Sequence, residues 1–162
     1  MKIKDILRGE GIHISFEVFL PKTEDSYTAV LEAAREIASL QTAFMSVTYG
    51  AGGGTSRNTV RIATRIEEDF QVPSLAHLTC VSSTREEVRQ VIASLRERGI
   101  ENILALRGDI PEDVTFPLPH HYRYASALIE DIRWEGAFCI GATCYPYGHV
   151  AAATPQDGIL PP

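Results

Sequence analysis

Short apolar segments alternate with longer amphipathic segments along this chain, and the alternation limits the possible fold more than any other feature. The apolar segments have the length and composition of strands, whereas the stretches between them space apolar residues at helical intervals. This order is typical of consecutive βα units that build a parallel sheet. The predicted strands are His13–Phe19, Ala43–Gly50, Ser74–Cys80, Asn102–Arg107 and Phe138–Tyr145, and the predicted helices are Glu24–Leu40, Arg57–Phe70, Arg85–Arg98 and Tyr122–Trp134.

Signals at the helix ends support these assignments. Thr84 followed by Glu87 is a capping-box pattern, and Thr55-Ser56 supplies candidate caps for the second helix. Gly99 stands where a left-handed residue commonly ends a helix. Because the strands are almost continuously apolar, we expect both faces of the sheet to be covered. The sequence therefore predicts an α/β fold with about five parallel strands and four helices.

Charge and cysteine content narrow the class of ligand. The formal net charge is -6 and the lysines and arginines are scattered, so the chain lacks the basic stripe that nucleic acid or an anionic membrane would require. Its three cysteines form no CxxC motif or Cys/His cluster, which indicates neither a disulfide framework nor a metal site. No secretory signal and no membrane-spanning apolar run is visible. We expect a soluble cytoplasmic protein that binds a small molecule.

The pattern changes after His149, where two prolines end a stretch in which a fifth helix would begin. We therefore predict that residues 1–149 form the folded domain and that residues 150–162 are a tail outside it.

Polar residues within or just after the strands are the candidates for a site, since ligands of parallel α/β folds bind at the carboxyl ends of the strands. Glu17 interrupts an apolar strand, which is costly for a carboxylate unless it is paired or lies in a cleft; a solvent-facing glutamate on an edge strand is the alternative. The glycine-rich turn after Thr48 and Tyr49 precedes a helix and suits phosphate, although it matches no established nucleotide motif.

Each remaining candidate has an ordinary structural alternative. His77, within an apolar strand, is more often a satisfied core histidine than a ligand. Arg107 and Asp109 flank Gly108 and could form a salt bridge that closes a turn. Tyr145 and His149 accompany ordinary turn formers. Jointly, however, these groups line one rim of one sheet and suit a redox cofactor with an acid opposite it.

Taken together, the motifs resemble the methylenetetrahydrofolate reductase family. They occur in the family's order and at its spacing through about 150 residues, so the resemblance is more specific than the glycine turn alone. The matching stretches are Ser15–Glu24 (SFEVFLPKTE), Phe44–Val60 (FMSVTYGAGGGTSRNTV), Ala76–Cys80 (AHLTC), Gly99–Pro111 (GIENILALRGDIP), Tyr124–Ile129 (YASALI) and Cys144–His149 (CYPYGH).

The resemblance implies a (β/α)8 TIM barrel that binds FAD and passes hydride from NAD(P)H through the flavin to 5,10-methylenetetrahydrofolate. It also implies roles for individual residues. Glu17 matches the general acid, and Asp109 matches an aspartate beside the flavin that influences its reduction. The positions implied to contact the flavin or the nicotinamide are Thr48, Tyr49, Ala51, His77, Arg107, Gly108, Asp109, Ala125, Tyr145 and His149.

The resemblance covers only the N-terminal half of such a barrel, and the chain departs from the family at Val18, at Leu20 and after His149. An open part of a barrel leaves strand edges unpaired. We therefore expect weak or no FAD binding by the isolated chain, and association with itself or with a missing C-terminal half. Two alternatives stay open: a non-catalytic fragment or complementing subunit, and another barrel enzyme acting on one-carbon or phosphorylated substrates.

Overall fold

A single five-stranded parallel sheet in the order β1-β2-β3-β4-β5 forms the centre of the fold. The computed structural model describes residues 1–21, 23, 25–50, 56–81, 83–110, 116 and 118–145. Its strands are β1 (Ser15–Val18), β2 (Phe44–Val47), β3 (Ser74–Thr79), β4 (Asn102–Leu106) and β5 (Cys139–Ala142), and its helices are α1 (Ile3–Ile6), α2 (Asp25–Ala38), α3 (Ser56–Phe70), α4 (Arg85–Glu97) and α5 (Ala125–Glu135).

This architecture confirms the predicted α/β class, which is that of a partial TIM barrel. Every predicted strand and helix is present, although most are shorter than predicted. The number of helices was underestimated, because the four residues of α1 are too few to show helical periodicity. The predicted tail, residues 150–162, and the candidate cap Thr55 lie outside the described residues, so the division at residue 149 stays a prediction.

Helices α2 to α5 form one layer, in which α2 packs against α3, α3 against α4, and α4 against α5. The residues of β2, β3 and β4 that face this layer are almost completely buried. On this side, the core residues of β2, β3 and β4 are Met45, Val47, Ala76, Leu78, Ile103 and Ala105.

The opposite side of the sheet, called the open face below, is less covered. It comprises the alternate positions of the strands, which include Glu17, Ser46, His77, Leu104 and Leu106. Leu104, Leu106 and Glu17 are partly or well exposed. The expectation that both faces are covered is therefore wrong for the described residues. Right-handed crossovers between successive neighbouring strands place α2, α3, α4 and α5 on the same side, and apolar strand content alone does not reveal the strand order.

Two local signals are confirmed at the ends of α4. The side chain of Thr84 accepts a hydrogen bond from the Glu87 amide, and the Glu87 carboxylate accepts one from the Thr84 amide, which completes the capping box. Gly99 has φ +73°, and the Ile100 amide donates to the Leu95 carbonyl at 3.0 Å. This glycine-ended turn is a Schellman motif, which a β-carbon would strain.

A buried tyrosine fixes the segment that enters α5. The Tyr122 side chain is fully buried, and its hydroxyl donates to Asp131 Oδ2 on α5 at 2.7 Å. Arg89 on α4 binds the same oxygen at 3.0 Å, and the Arg85 guanidinium lies 5.0 Å from the centre of the Tyr122 ring. Burial and the hydrogen bond to Asp131 raise the pKa of Tyr122. The start of α5 is thereby held against the start of α4.

Candidate functional site

Glu17 lies on the open face of β1 beside two polar side chains of the neighbouring strands. It pairs in register with Ser46 on β2, whose hydroxyl donates a hydrogen bond of 3.4 Å to Glu17 Oε2. His77 Nε2 on β3 is 3.6 Å from the same oxygen. The Glu17 side chain is 43% exposed, whereas that of His77 is 9% exposed. One carboxylate oxygen therefore faces a polar pair, while the group as a whole stays accessible from solvent.

His77 is electrostatically poised to be neutral. Burial lowers the pKa of its imidazole below the usual 6.5, and the Glu17 carboxylate partly opposes this shift. Its Nε2 atom is buried and has no hydrogen-bond partner within the part of the chain that the structure describes. The alternative of a satisfied core histidine therefore fails for this nitrogen. A buried ring nitrogen without a partner is unusual enough to require an explanation.

Thr48 and Tyr49, at the end of β2, connect neighbouring loops. Thr48 Oγ1 accepts a hydrogen bond from the Leu20 amide at 3.1 Å, and the Thr48 carbonyl accepts one from the Thr59 hydroxyl of α3 at 3.0 Å. The Tyr49 hydroxyl lies 3.0 Å from that of Ser83, after β3. Both candidates thus stand at the carboxyl edge of the sheet, as the sequence predicted.

The turn after β4 requires glycine at position 108. Gly108 has φ +82°, and a β-carbon there would lie 3.1 Å from Thr79 Cβ. The Cys80 and Val81 amides both donate to the Arg107 carbonyl at 3.1 Å, so backbone hydrogen bonds hold this turn against the end of β3. Burial raises the pKa of the Cys80 thiol to about 12, and Arg107 opposes the shift.

The predicted alternative of an Arg107–Asp109 salt bridge is not realised in the described structure. Arg107 Nε donates instead to the Gly108 carbonyl at 3.4 Å, and the Asp109 side chain is exposed. Asp109 follows β4 at the same edge as the other candidates, but no contact among the described residues joins it to Glu17 or His77.

The remaining candidates are placed as follows. Ala125 is the first residue of α5, and Tyr145 follows β5 with 46% of its surface exposed. Ala51 and His149 lie outside the described residues. Sequence reasoning missed Ser46, although its position in the middle of β2 gives it the same face as Glu17 once the register is known. No group of three or more metal-ligating side chains occurs among the described residues.

The sequence comparisons with known proteins agree on one family. A sequence model of the family methylenetetrahydrofolate reductase matches residues 2–160. The 5,10-methylenetetrahydrofolate reductase of Pectobacterium carotovorum subsp. carotovorum is 34% identical over 149 residues, which are 92% of this chain and 49% of that protein. Methylenetetrahydrofolate reductase (NADH) 1 of Arabidopsis thaliana is 33% identical over 165 residues, which are 99% of this chain and 28% of that protein.

The shares covered show that this chain is short relative to such proteins. It spans about half the length of the bacterial relatives it matches, including that of Escherichia coli (strain K12), which is 33% identical. Among solved structures, a mandelate racemase/muconate lactonizing family protein from Azoarcus sp. EbN1 aligns with a TM-score of 0.51 and 17% identity, covering 87% of this chain and 33% of that one. At that identity the likeness concerns the fold alone.

Proposed function

This chain belongs to the methylenetetrahydrofolate reductase family, and on that premise we propose that it contributes the proton donor and part of the flavin site to an NAD(P)H-dependent reduction of 5,10-methylenetetrahydrofolate to 5-methyltetrahydrofolate. The observation that carries the proposal is the position of Glu17. Its carboxyl group lies on the open face, accessible yet held by Ser46 and adjacent to a buried histidine. A general acid needs this combination of a fixed position and access to substrate.

The residues of the open face fit a planar, largely apolar ring. Leu104 and Leu106 offer partly exposed aliphatic surface, and His77, paired in register with Leu104, lies on the same face. Gly108 lets the turn after β4 lie close to Thr79 at the same edge of the sheet, where a β-carbon would be 3.1 Å from Thr79 Cβ. Ligand sites commonly combine apolar walls with a few placed polar groups.

When bound, FAD would accept hydride from NAD(P)H and deliver it to the bridging carbon of the folate. The residues proposed to hold FAD and the nicotinamide are the ones inferred from the family resemblance: Thr48, Tyr49, Ala51, His77, Arg107, Gly108, Asp109, Ala125, Tyr145 and His149.

Glu17 is proposed to supply the proton of the folate reaction. The carboxylic acid gives its proton to the ring nitrogen that leaves the bridging carbon, and the remaining carboxylate keeps the hydrogen bond from the Ser46 hydroxyl. Asp109, exposed after β4, is proposed to influence the flavin and cationic folate intermediates through its negative charge. Neither role requires the two carboxylates to touch.

The completeness of the site decides whether the chain is active alone. The sheet has β1 and β5 at its edges, and a barrel closes only when every strand has two neighbours. We propose that the isolated chain binds FAD weakly or not at all, and that reductase activity requires the part of the family's length that this chain does not span. The second candidate function is that of a complementing subunit or a non-catalytic fragment, and the open face favours it.

Among the described residues, no helix is long and apolar enough to cross a membrane. A cytoplasmic location is a further proposal.

A flavin titration with and without a complementing half tests these proposals. The full chain is mixed with FAD, alone and with the remaining half of a bacterial relative, and flavin absorbance, NADH oxidation and elution volume are measured. We expect a stoichiometric flavoprotein only in the mixture. A yellow, NADH-oxidising chain on its own would contradict the requirement for a partner, and a mixture without flavin would contradict the proposed function.

The variant Glu17→Gln separates the two half-reactions in that mixture. The variant keeps the size of the side chain but removes the acid, so flavin reduction by NADH should continue while folate reduction falls by about 10²- to 10⁴-fold. Glu32→Gln, on the exposed surface of α2, is the matched control and should keep both rates. Equal losses in both half-reactions of Glu17→Gln would contradict the role of proton donor.

A further inference from the structure

Both polar neighbours of Glu17 approach the same oxygen of its carboxyl group. The Ser46 hydroxyl donates to Oε2 at 3.4 Å, and His77 Nε2 is 3.6 Å from Oε2. Among the described residues, no comparable contact is made by Oε1. The two oxygens of one carboxyl group therefore have different surroundings, since Oε2 has two polar neighbours and Oε1 has none among the described residues.

We propose that His77 and Ser46 are positioning residues for Glu17, which hold Oε2 so that Oε1 faces the open face and carries the transferable proton. The catalytic meaning of this inference rests on the proposed function, but the coupling of the three side chains does not. It assigns His77 a role toward Glu17 in addition to the flavin contact implied by the family resemblance.

The geometry of His77 supports a donor role. Its Nε2 atom is buried without a hydrogen bond among the described residues, and Glu17 Oε2, on the more exposed side chain, is the neighbouring acceptor at 3.6 Å. In the tautomer with a proton on Nε2, a neutral imidazole donates to Oε2 whether or not Oε1 is protonated. Burial, which lowers the pKa of His77, keeps the ring neutral near pH 7.

The proton balance of the step is complete within these groups and the substrate. The Oε1–H bond of Glu17 breaks, a bond to the folate nitrogen forms, and the electron pair stays on Oε1. Ser46 and His77 keep their own protons and donate hydrogen bonds to Oε2 throughout. They act through the orientation of Glu17 and are not themselves acids in the reaction.

Few charged groups other than Glu17 influence the pKa of His77. The residue paired in register with His77 on β4 is the apolar Leu104. The β2 side chain that shares the Glu17 carboxyl group with His77 is the uncharged Ser46. Among the described residues, Glu17 is the charged group that acts on the pKa of His77. A change in the titration of His77 therefore reports on Glu17.

An NMR titration of the histidine ring protons in the full chain tests the coupling without flavin or folate. The His77 signal is assigned by its loss in His77→Gln, and its pKa is compared between the native chain and Glu17→Gln. Since the carboxylate raises this pKa, the variant should titrate at lower pH than the native chain. Glu32→Gln and Asp109→Asn should leave the His77 titration close to native. An unchanged titration in Glu17→Gln, or an equal shift in the controls, would overturn the inference.

A second measurement tests the positioning role in the complemented protein described above. His77→Leu removes the donor and should reduce folate reduction about tenfold or more, because a displaced acid loses its alignment. His77→Gln restores an N–H donor and should recover most of that loss at similar thermal stability. Equal activity of the two variants would contradict positioning. If the NMR coupling is found but no variant or native mixture reduces folate, the proposed function fails and the coupling stands.

Discussion

Removal of the Tyr122 hydroxyl should destabilise the fold by an amount that the structure allows us to work out. Tyr122→Phe keeps the buried ring and the guanidinium of Arg85 beside it, but removes the 2.7 Å hydrogen bond to Asp131. Hydrogen bonds to charged groups contribute roughly 1.5 to 3 kcal/mol. Asp131 keeps its 3.0 Å contact with Arg89, and its side chain is 24% exposed, so water can replace the lost donor. We expect a loss of about 1 to 2 kcal/mol in the free energy of unfolding.

The pH dependence of the free energy of unfolding of the same variant supplies a second, independent test. The pKa of Tyr122 is raised above its usual 10 in the folded state, so between pH 10 and the folded pKa the native state binds more protons than the unfolded state. Stability contributed by the neutral phenol is therefore present below pH 10 and is lost as the pH rises above it. The native chain should thus lose its advantage over Tyr122→Phe above pH 10.

Urea unfolding followed by far-ultraviolet circular dichroism measures both effects. The matched control is Tyr124→Phe, because the Tyr124 side chain is 38% exposed and makes no capping hydrogen bond at the start of α5; it should change the free energy of unfolding by less than about 0.5 kcal/mol. A loss below that value for Tyr122→Phe at pH 7, or a difference from the native chain that stays constant above pH 10, would refute the reasoning.

Two further predictions concern the buried side chains of Asn102 and Cys80. Asn102→Ala should reduce the free energy of unfolding by about 2 to 4 kcal/mol in the same urea assay. The buried side-chain amide of Asn102 accepts a hydrogen bond from the Ile3 amide at 2.8 Å and donates one to the Ser74 carbonyl at 3.1 Å, and the variant loses both. A loss below about 1 kcal/mol would contradict this reasoning. A thiol reagent at pH 8 should label exposed Cys144 much faster than buried Cys80, whose pKa is raised to about 12, and mass spectrometry showing equal labelling would contradict it.

The local periodicities were sufficient to predict the elements but not their arrangement. Each strand and each long helix could be found from its own residues, and the capping box at Thr84 and the turn at Gly99 are set by neighbouring positions in the chain. The strand order and the uncovered open face depend on how crossovers pack, which is a property of the whole sheet. The four-residue α1 also depends on tertiary contacts, since its Ile3 amide is bound by Asn102 of β4.

For the candidate site too, the sequence predicted which residues lie at strand ends but not which side chains meet across strands. Position at a strand end identified Thr48, Tyr49 and the turn at Gly108, because the carboxyl edge is common to all parallel strands. The contact between Glu17 and His77 spans two strand spacings, so it requires the register of β1, β2 and β3 that only the structure supplies. Ser46 was overlooked because a serine within an apolar strand carries no local signal of its own.

Glu17 is accessible because the open face is only partly covered among the described residues. Among the described residues, α2 to α5 lie on one side of the sheet, no strand pairs with the outer edges of β1 and β5, and Phe19, just after β1, is 69% exposed. Unpaired edges with apolar neighbours favour association. Whatever covers them also determines how much water reaches Glu17 Oε1 and the wall formed by Leu104 and Leu106. Under the proposed function, flavin binding and association with further strands should therefore depend on each other: a partner that completes the sheet should raise the affinity for flavin, and flavin, by linkage, should raise the affinity for the partner.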